Sequence, residues 1–227
     1  YNLLNLKEIL ENNRPKFLQE RRFQLIHSVS SRAIARKFGG DLAAGKPHTD
    51  KLPEPVKHTA RECYVGFHSY GSFNLFAQRG AVSGSHVDWL NGTWARCVTG
   101  LKAWPVMTDL SSEEMETYKK ERKDGGGDMY LPTKGRFKMV VLEPQDTLIM
   151  PPGTIVVHAP ITVEDSLMDG GMFWDEKNLL PTLRNILDVA RNPSISNEIV
   201  PRQFAEVMDE LEAWVKKDTQ RFADAAE

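Results

Sequence analysis

A series of short apolar segments occupies residues 62–174, and turn residues separate most of them. Segments of this length, apolar or alternating and bounded by glycine and proline, are typical of β-strands. Many short strands of this kind predict a barrel or a double-sheet jelly roll. The predicted strands are 63–67, 73–78, 94–98, 102–107, 137–142, 147–150, 155–158 and 170–174.

Helical periodicity flanks these strands and interrupts them once. Ser111 and Glu114 have the spacing of a capping box, which predicts a short helix ending near residue 123. The last apolar stripe, within 204–215, either packs on the core or forms a homodimer interface. Further helical spacing occurs at Leu3, Leu6, Ile9 and Leu10, at Phe23, Ile26, Ala33, Ile34 and Phe38, and at Leu183, Ile186, Leu187 and Ala190.

The length of the chain favours one domain. A chain of 227 residues with 41% hydrophobic content can bury a substantial core. We expect a mainly β domain over 1–227 with flanking α-helices. Its parts are a helical segment at 1–55, a jelly-roll core at 56–175 with the helical insertion near 111–123, and C-terminal helices at 176–227.

Charge and cysteine content argue against several classes of function. Lys and Arg total 29 against 31 for Asp and Glu, so the net charge of -2 provides no global basic field for nucleic acid. Cys63 and Cys97 lack the spacing of a zinc knuckle or a disulfide framework, which fits a reducing compartment. No apolar run reaches the roughly 18 residues of a membrane span, and no signal-peptide pattern opens the chain. We expect an intracellular protein of the cytoplasm or nucleus, with no membrane or nucleic-acid partner.

Three residues have the chemistry of a metal site. Residues i and i+2 of an extended strand point to the same side, so His86 and Asp88 can bind one ion from one strand. A turn at 90–92 follows His86 and Asp88, where a strand end at a barrel mouth would expose them, and His158 ends another predicted strand. Two imidazoles and one carboxylate suit a divalent iron that keeps open coordination positions. Taken singly, each residue also fits an ordinary structural role.

Lys102 is the second unusual residue. It lies in a predicted strand between Leu101, Ala103 and Trp104, and burying a lysine is costly unless an anion pairs with it. A dicarboxylate cosubstrate would supply that anion. The alternative is an edge position from which the ammonium reaches water.

Two sequence blocks carry a family resemblance. Residues 86–94, His-Val-Asp-Trp-Leu-Asn-Gly-Thr-Trp, are followed at 100–104 by Gly-Leu-Lys-Ala-Trp. Together they resemble the jumonji C family of Fe(II)- and 2-oxoglutarate-dependent oxygenases, which belongs to the cupin superfamily. Residues 142–153 resemble the approach to that family's distal histidine, and 165–174 resemble the strand that follows it. The resemblance covers about half of the chain.

The resemblance implies roles for six residues. His86, Asp88 and His158 would bind Fe(II), and Lys102 would pair with the distal carboxylate of 2-oxoglutarate. The implied fold is a double-stranded β-helix, a cupin-like jelly-roll barrel that agrees with the strand pattern. The further cosubstrate contacts that the resemblance implies are a hydroxyl for the same carboxylate at Ser83 and part of the cosubstrate wall at Thr93.

One departure from the family concerns His158. Ile155, Val156 and Val157 lie between the Pro-Gly step and this histidine, which is longer than the usual spacing. Because a slip of one residue turns a strand side chain to the opposite face, the register of this strand decides whether His158 reaches the metal.

The expected activity is that of an oxidoreductase. A dioxygenase of this kind uses Fe(II), 2-oxoglutarate and dioxygen to hydroxylate a substrate, or to remove a methyl group if the oxidised carbon is bound to nitrogen. We expect a protein side chain as the substrate, with a small metabolite as the alternative. A noncatalytic cupin-like binding or scaffold protein is a further alternative. The remaining histidines, His27, His48, His58 and His68, have no assigned role.

Overall fold

An antiparallel sheet forms the body of the part of the chain that the computed structural model describes: residues 1–6, 14–41, 46–47, 73–125, 136–198, 200 and 203–223. The short strands β2 and β3 form a separate ribbon, and the other seven belong to the main sheet. The described strands are β1 (Asn2–Leu6), β2 (Gly40–Asp41), β3 (Lys46–Pro47), β4 (Phe73–Ala77), β5 (Thr93–Met107), β6 (Lys138–Leu142), β7 (Thr147–Met150), β8 (Val157–His158) and β9 (Ile161–Met172).

The long strand β5 is the centre of the sheet. It pairs along one edge with β6 and β7 and along the other with β8 and β9. Beyond β9, β4 pairs with β9 and β1 pairs with β4. Asn2 of β1 and Met150 of β7 belong to strands on opposite sides of this order, yet they line one cavity. The sheet therefore curls around that cavity, and the predicted mainly β, jelly-roll, cupin-like fold is confirmed.

A bulge joins two predicted strands into one. The sequence predicts separate strands at 94–98 and 102–107, whereas β5 runs through both, with register shifts against β9 between Cys97 and Lys102. Gly100 has φ 84° there, and a Cβ at this position would lie 2.1 Å from the carbonyl oxygen of Asp165. Cys97 and Lys102 are both buried although they are an odd number of residues apart, because the bulge reverses the alternation of the strand.

The prediction of a helix at the N-terminus is wrong for residues 2–6. These residues form β1, in which Leu3 lies opposite Phe76 of β4. A few leucines at helical spacing do not distinguish a helix from a strand, and here pairing with the edge of β4 decides the outcome. Leu3 is 51% exposed rather than packed on a helical face. Ile9, Leu10, the predicted strand at 63–67, His48, His58 and His68 lie outside the described residues.

Four α-helices occur in the described residues, and the three other helical predictions are confirmed by α1, α3 and α4. In the insertion, Ser111 Oγ accepts from Glu114 N at 3.2 Å, while Ser111 N donates to Glu114 Oε2 at 2.8 Å, so the predicted capping box is also confirmed. The helices are α1 (Leu25–Phe38), α2 (Ser112–Lys123), α3 (Leu179–Arg191) and α4 (Phe204–Lys217).

The apolar stripe of α4 belongs to the core of this chain. Val207, Leu211 and Trp214 are buried in a cluster that includes residues of α1. Glu210 of the same helix binds Arg32 and Arg36 of α1. Core packing is therefore confirmed for the stripe, while a homodimer and the division of the domain into segments stay predictions. No helix among the described residues is long and apolar enough to cross a membrane.

Candidate metal centre

His86 and His158 lie opposite each other in an antiparallel bridge. The His86 N–H donates to the His158 carbonyl at 2.9 Å, and the His158 N–H donates to the His86 carbonyl at 3.0 Å. Side chains of directly opposed residues project to the same side of a sheet, and these two rings have centroids 4.2 Å apart. The strand register therefore turns His158 toward His86 despite the longer approach of residues 155–157.

Asp88 completes the group from the turn that follows His86. Its Oδ1 lies 3.8 Å from His86 Nε2 and 3.4 Å from His158 Nε2. Two ligands each about 2.1 Å from one ion are separated by about 3 to 4 Å, so the three donors fit a single small divalent cation. His86 and Asp88 lie in a bridge and a turn rather than in one continuous strand, and Val87 between them is buried in the core formed with the helices.

Backbone carbonyls orient both imidazoles. His86 Nδ1 lies 2.6 Å from the Gly84 carbonyl oxygen, and His158 Nδ1 lies 3.1 Å from that of Val156. A carbonyl can only accept a hydrogen bond, so each Nδ1 carries the proton. In the neutral rings the lone pair is then on Nε2, the atom nearest Asp88. This is the arrangement by which outer contacts prepare histidines for a metal.

Thr93 acts on Asp88. Its hydroxyl donates to Asp88 Oδ2 at 2.5 Å, so the other oxygen, Oδ1, is left facing the two histidines. Thr93 begins β5 and also lines the cavity. Its predicted contact with a cosubstrate stays a prediction, and the contact with Asp88 was not expected from the sequence.

The three candidate ligands lie on the wall of a cavity of about 310 Å³. Both strand and loop residues contribute to its polar lining, and all three predicted cosubstrate residues are among them. Phe73, Leu75, Ala95 and Met150 provide much of the apolar surface. The other polar residues of the wall are Asn2, Ser83, Thr93, Lys102, Asn197 and Glu198.

Lys102 is buried inside the barrel and does not reach water from an edge. It is 4% exposed, and its Nζ donates to Thr162 Oγ1 at 2.7 Å. Among the described residues no carboxylate forms an ion pair with it. Burial lowers the pKa of Lys102 to about 8, since the charged form is poorly solvated there. An anion that enters the cavity could therefore form an ion pair with Lys102, which has no carboxylate partner among the described residues.

Two further polar residues of the cavity were missed by the sequence reasoning. Asn2 donates from Nδ2 to Ser83 Oγ at 3.2 Å, and it was missed because its segment was predicted to be helical. Glu198 lies between α3 and α4, and its Oε2 accepts from the Trp89 N–H at 2.6 Å. No local pattern in the sequence indicates either contact, because each joins segments far apart in the chain.

The charges of the three candidate ligands influence one another. Burial and the charge of His158 lower the pKa of His86 to about 4. Burial also opposes charge on Asp88 and His158, but their mutual attraction is stronger, so the pKa of Asp88 is lowered and the pKa of His158 is raised. The charged forms of Asp88 and His158 therefore stabilise each other.

One curated protein resembles nearly the whole chain. KK-1 biosynthesis cluster protein D of Curvularia clavata is 29% identical over 217 residues, which is 96% of this chain and 19% of that protein. The chain thus spans about a fifth of the length of this relative. The sequence matches no protein-family model.

Several solved structures share part of the fold. KdgF from Halomonas sp. is 18% identical with a TM-score of 0.26, covering 44% of this chain and 64% of its own. A cupin superfamily protein from Desulfitobacterium hafniense is 12% identical with a TM-score of 0.28, covering 46% and 66%. Hydroquinone 1,2-dioxygenase from Sphingomonas sp. is 10% identical with a TM-score of 0.31, covering 47% and 61%. Overlaps this small carry no conclusion about function.

Proposed function

We propose that this protein is an Fe(II)- and 2-oxoglutarate-dependent dioxygenase of the jumonji C type. One observation carries the proposal. Backbone carbonyls bound at Nδ1 orient His86 and His158 so that their Nε2 atoms face Asp88. These three residues lie on the wall of a cavity that Lys102 also lines. Two imidazoles and one carboxylate on one side of an ion leave the opposite positions open to ligands. The donor set therefore suits Fe(II), and the cavity provides room for what the iron would bind.

Lys102 supports 2-oxoglutarate as the cosubstrate. A buried ammonium gains most from a charge-assisted hydrogen bond to a carboxylate. Val106 of β5 lies opposite His158, while Lys102 lies opposite Thr162, four residues and about 13 Å further along the strand. Lys102 and the three candidate ligands line one cavity, and we propose that a five-carbon dicarboxylate contacts the Lys102 side chain at one end and the metal at the other. The hydroxyl of Ser83, which also lines the cavity, is a further donor for the distal carboxylate.

The residues of the chain would divide the work of the reaction. Bound iron with 2-oxoglutarate and dioxygen supplies the oxidation of a substrate C–H bond to an alcohol, with release of succinate and carbon dioxide. His86, Asp88 and His158 hold the ion, and Lys102 orients the cosubstrate. Apolar residues such as Met150 keep water from this part of the cavity. If the oxidised carbon is a methyl group on nitrogen, the same chemistry results in demethylation.

Two substrate classes follow from this proposal. A protein side chain remains our first expectation. A small molecule is the second candidate, and it is favoured by the similarity to a biosynthesis cluster protein that covers 96% of this chain. In either case the dioxygenase would be expected to hydroxylate a carbon held beside the candidate metal centre.

Metal uptake and cosubstrate turnover test the proposal. The purified protein is incubated with Fe(II), ascorbate and 2-oxoglutarate, and bound metal and succinate are measured. We expect one ion per chain and succinate above the level of His86→Ala, which lacks one ligand. A wild-type protein that takes up no metal and forms no more succinate than His86→Ala contradicts the proposal, and supports a noncatalytic binding role.

A second variant tests cosubstrate binding separately from metal binding. Lys102→Ala removes the ammonium but no metal ligand, so metal uptake should persist while the affinity for 2-oxoglutarate falls by about tenfold to a hundredfold. Titration calorimetry of the metal-free protein measures metal uptake, and titration of the metal-loaded protein measures the affinity for 2-oxoglutarate. Equal affinity of wild type and Lys102→Ala for 2-oxoglutarate would show that the cosubstrate assignment is wrong even if the metal site is right.

A further inference from the structure

Glu198 is an acidic residue of the cavity that the proposed reaction does not use. It lies beside Asn197 in the segment between α3 and α4, and both line the same cavity as the candidate ligands. Glu198 Oε2 accepts from the N–H of Trp89, the residue that follows Asp88. Glu198 does not belong to the group of donors that could hold one ion. It is thus placed next to the metal centre without being one of its ligands.

The charge of Glu198 has no cationic partner among the described residues. No lysine or arginine of the described part of the chain forms an ion pair with it, and the Trp89 amide is the donor that it contacts. An ionised carboxylate at this position therefore gains free energy when a cation comes close.

In the proposed reaction, the cofactors and the residues that bind them carry no net charge. Fe(II) carries two positive charges and Lys102 one, while 2-oxoglutarate carries two negative charges and Asp88 one. With both histidines neutral, these charges cancel. Glu198 then adds a negative charge to a site that is already balanced, and the remaining component of the reaction is the substrate.

We propose that Glu198 is a specificity-determining residue that binds a protonated nitrogen of the substrate beside the metal centre. This inference rests on the proposed function and names the substrate class for it. The carboxylate and the substrate cation would form a charge-assisted hydrogen bond inside the cavity. The shared chemistry is an ammonium or guanidinium group, which belongs either to a free amine or amino acid or to a lysine or arginine side chain of a peptide.

Two variants separate charge from structure. In Glu198→Gln the amide oxygen can still accept from the Trp89 N–H, but the negative charge is gone. Glu198→Ala loses both the hydrogen bond from the Trp89 N–H and the negative charge. If Glu198 serves only to hold the Trp89 amide, Glu198→Gln behaves as wild type in every measurement. If it binds a cation, Glu198→Gln changes ligand preference while the melting temperature stays near that of wild type.

The test is a binding experiment on a complex that does not turn over. The protein is loaded with Mn(II) and 2-oxoglutarate, and ligands are titrated in pairs that differ in one charge. One arm compares free lysine with norleucine and butylammonium with butanol. The other compares peptides containing lysine with the same peptides containing acetyl-lysine, and peptides containing arginine with those containing citrulline. Calorimetry gives the dissociation constants.

The expected result is a cation that binds wild type about tenfold or more tightly than its neutral partner. That preference should disappear in Glu198→Gln, with unchanged affinities for Mn(II) and 2-oxoglutarate. The arm in which the preference occurs identifies a small-molecule or a peptide source. If no cation in either arm is preferred by wild type, or if Glu198→Gln keeps the preference, the inference is wrong.

The same titrations distinguish this inference from the proposed function. Failure of wild type to bind Mn(II) and then 2-oxoglutarate rejects the proposed function. Normal binding of both without any cation preference rejects only the role of Glu198.

Discussion

At the scale of single residues, the candidate metal centre depends on contacts made by residues that are not ligands. Gly84 and Val156 fix the proton on Nδ1 of each histidine, and Thr93 holds the second oxygen of Asp88. Such outer contacts orient the donors before an ion arrives, so the ligand side chains lose less conformational freedom when the ion binds. The geometry of the ligands therefore depends on residues whose own chemistry is unremarkable for metals.

The first prediction concerns Thr93. Thr93→Val keeps the shape of the side chain and removes the hydroxyl, so Asp88 can rotate away from the histidines. We expect the affinity for Mn(II) or Fe(II) to fall by about tenfold to a hundredfold. Thr93→Ser keeps the hydroxyl and is the matched control. Equal metal affinity in Thr93→Val and wild type would show that the contact with Asp88 does not position it.

The second prediction is a pH dependence of cosubstrate binding. The pKa of Lys102 is lowered to about 8 by burial, and a bound dicarboxylate raises it again. The affinity for 2-oxoglutarate should therefore be highest below this pKa, where Lys102 is charged. It should decline by up to about tenfold per pH unit as the pH rises above this pKa and Lys102 loses its proton. Calorimetric titrations at increasing pH measure the effect. Lys102→Arg stays charged throughout and should lack this decline.

At the scale of secondary structure, the bulge in β5 decides what faces the cavity. Thr93 and Cys97 precede it and Lys102 and Trp104 follow it, and all four are buried. In an unbroken strand the two pairs would face opposite sides of the sheet. The irregular register around Gly100 therefore places Lys102 and Thr93 in one barrel interior.

The third prediction tests this bulge. Gly100→Ala adds a Cβ that would meet the Asp165 carbonyl at 2.1 Å in a backbone with φ 84°. Gly80→Ala is the control, since Gly80 has φ 81° and nothing lies within 4 Å of the added Cβ. We expect the free energy of unfolding to fall by about 1 kcal/mol for Gly80→Ala and by about 2 to 4 kcal/mol for Gly100→Ala. Urea unfolding measures both, and similar losses would contradict the steric argument.

At the scale of the whole molecule, the candidate ligands join two layers of the structure. Val87, between two of the ligands, is buried in the core formed with the helices, and its N–H donates to the Ile195 carbonyl at 2.9 Å. His158 belongs to β8 of the sheet. An ion held by His86, Asp88 and His158 would therefore connect the helical layer to the barrel.

The fourth prediction follows from this connection. A ligand that binds only the folded state stabilises it, and at a free ion concentration a hundredfold above the dissociation constant the gain is about 2.7 kcal/mol. Adding a chelator should therefore lower the melting temperature of metal-loaded wild type. His86→Ala should melt at the same temperature with and without chelator. A chelator effect of equal size in both proteins would place the stabilising ion elsewhere.

Much of the local structure and the chemistry of the candidate site could be predicted from sequence. The spacing of Ser111 and Glu114 determines a helix start, and the pattern at 147–150 determines a strand, because both signals depend on neighbouring side chains. The chemical types of His86, Asp88 and His158 likewise specify a metal site wherever they meet. These properties need only a short stretch of chain or the identity of a side chain.

The way in which distant segments meet depends on the fold of the whole chain. Residues 2–6 became a strand because an edge of β4 was available, and the register opposite His86 turned His158 inward. The contact between Trp89 and Glu198 joins residues 109 positions apart. Pairing, register and bulges are determined by the summed packing of the whole barrel, which no local pattern contains. Local sequence signals therefore specify the elements and the donor atoms, and the folded barrel determines which of them face one cavity.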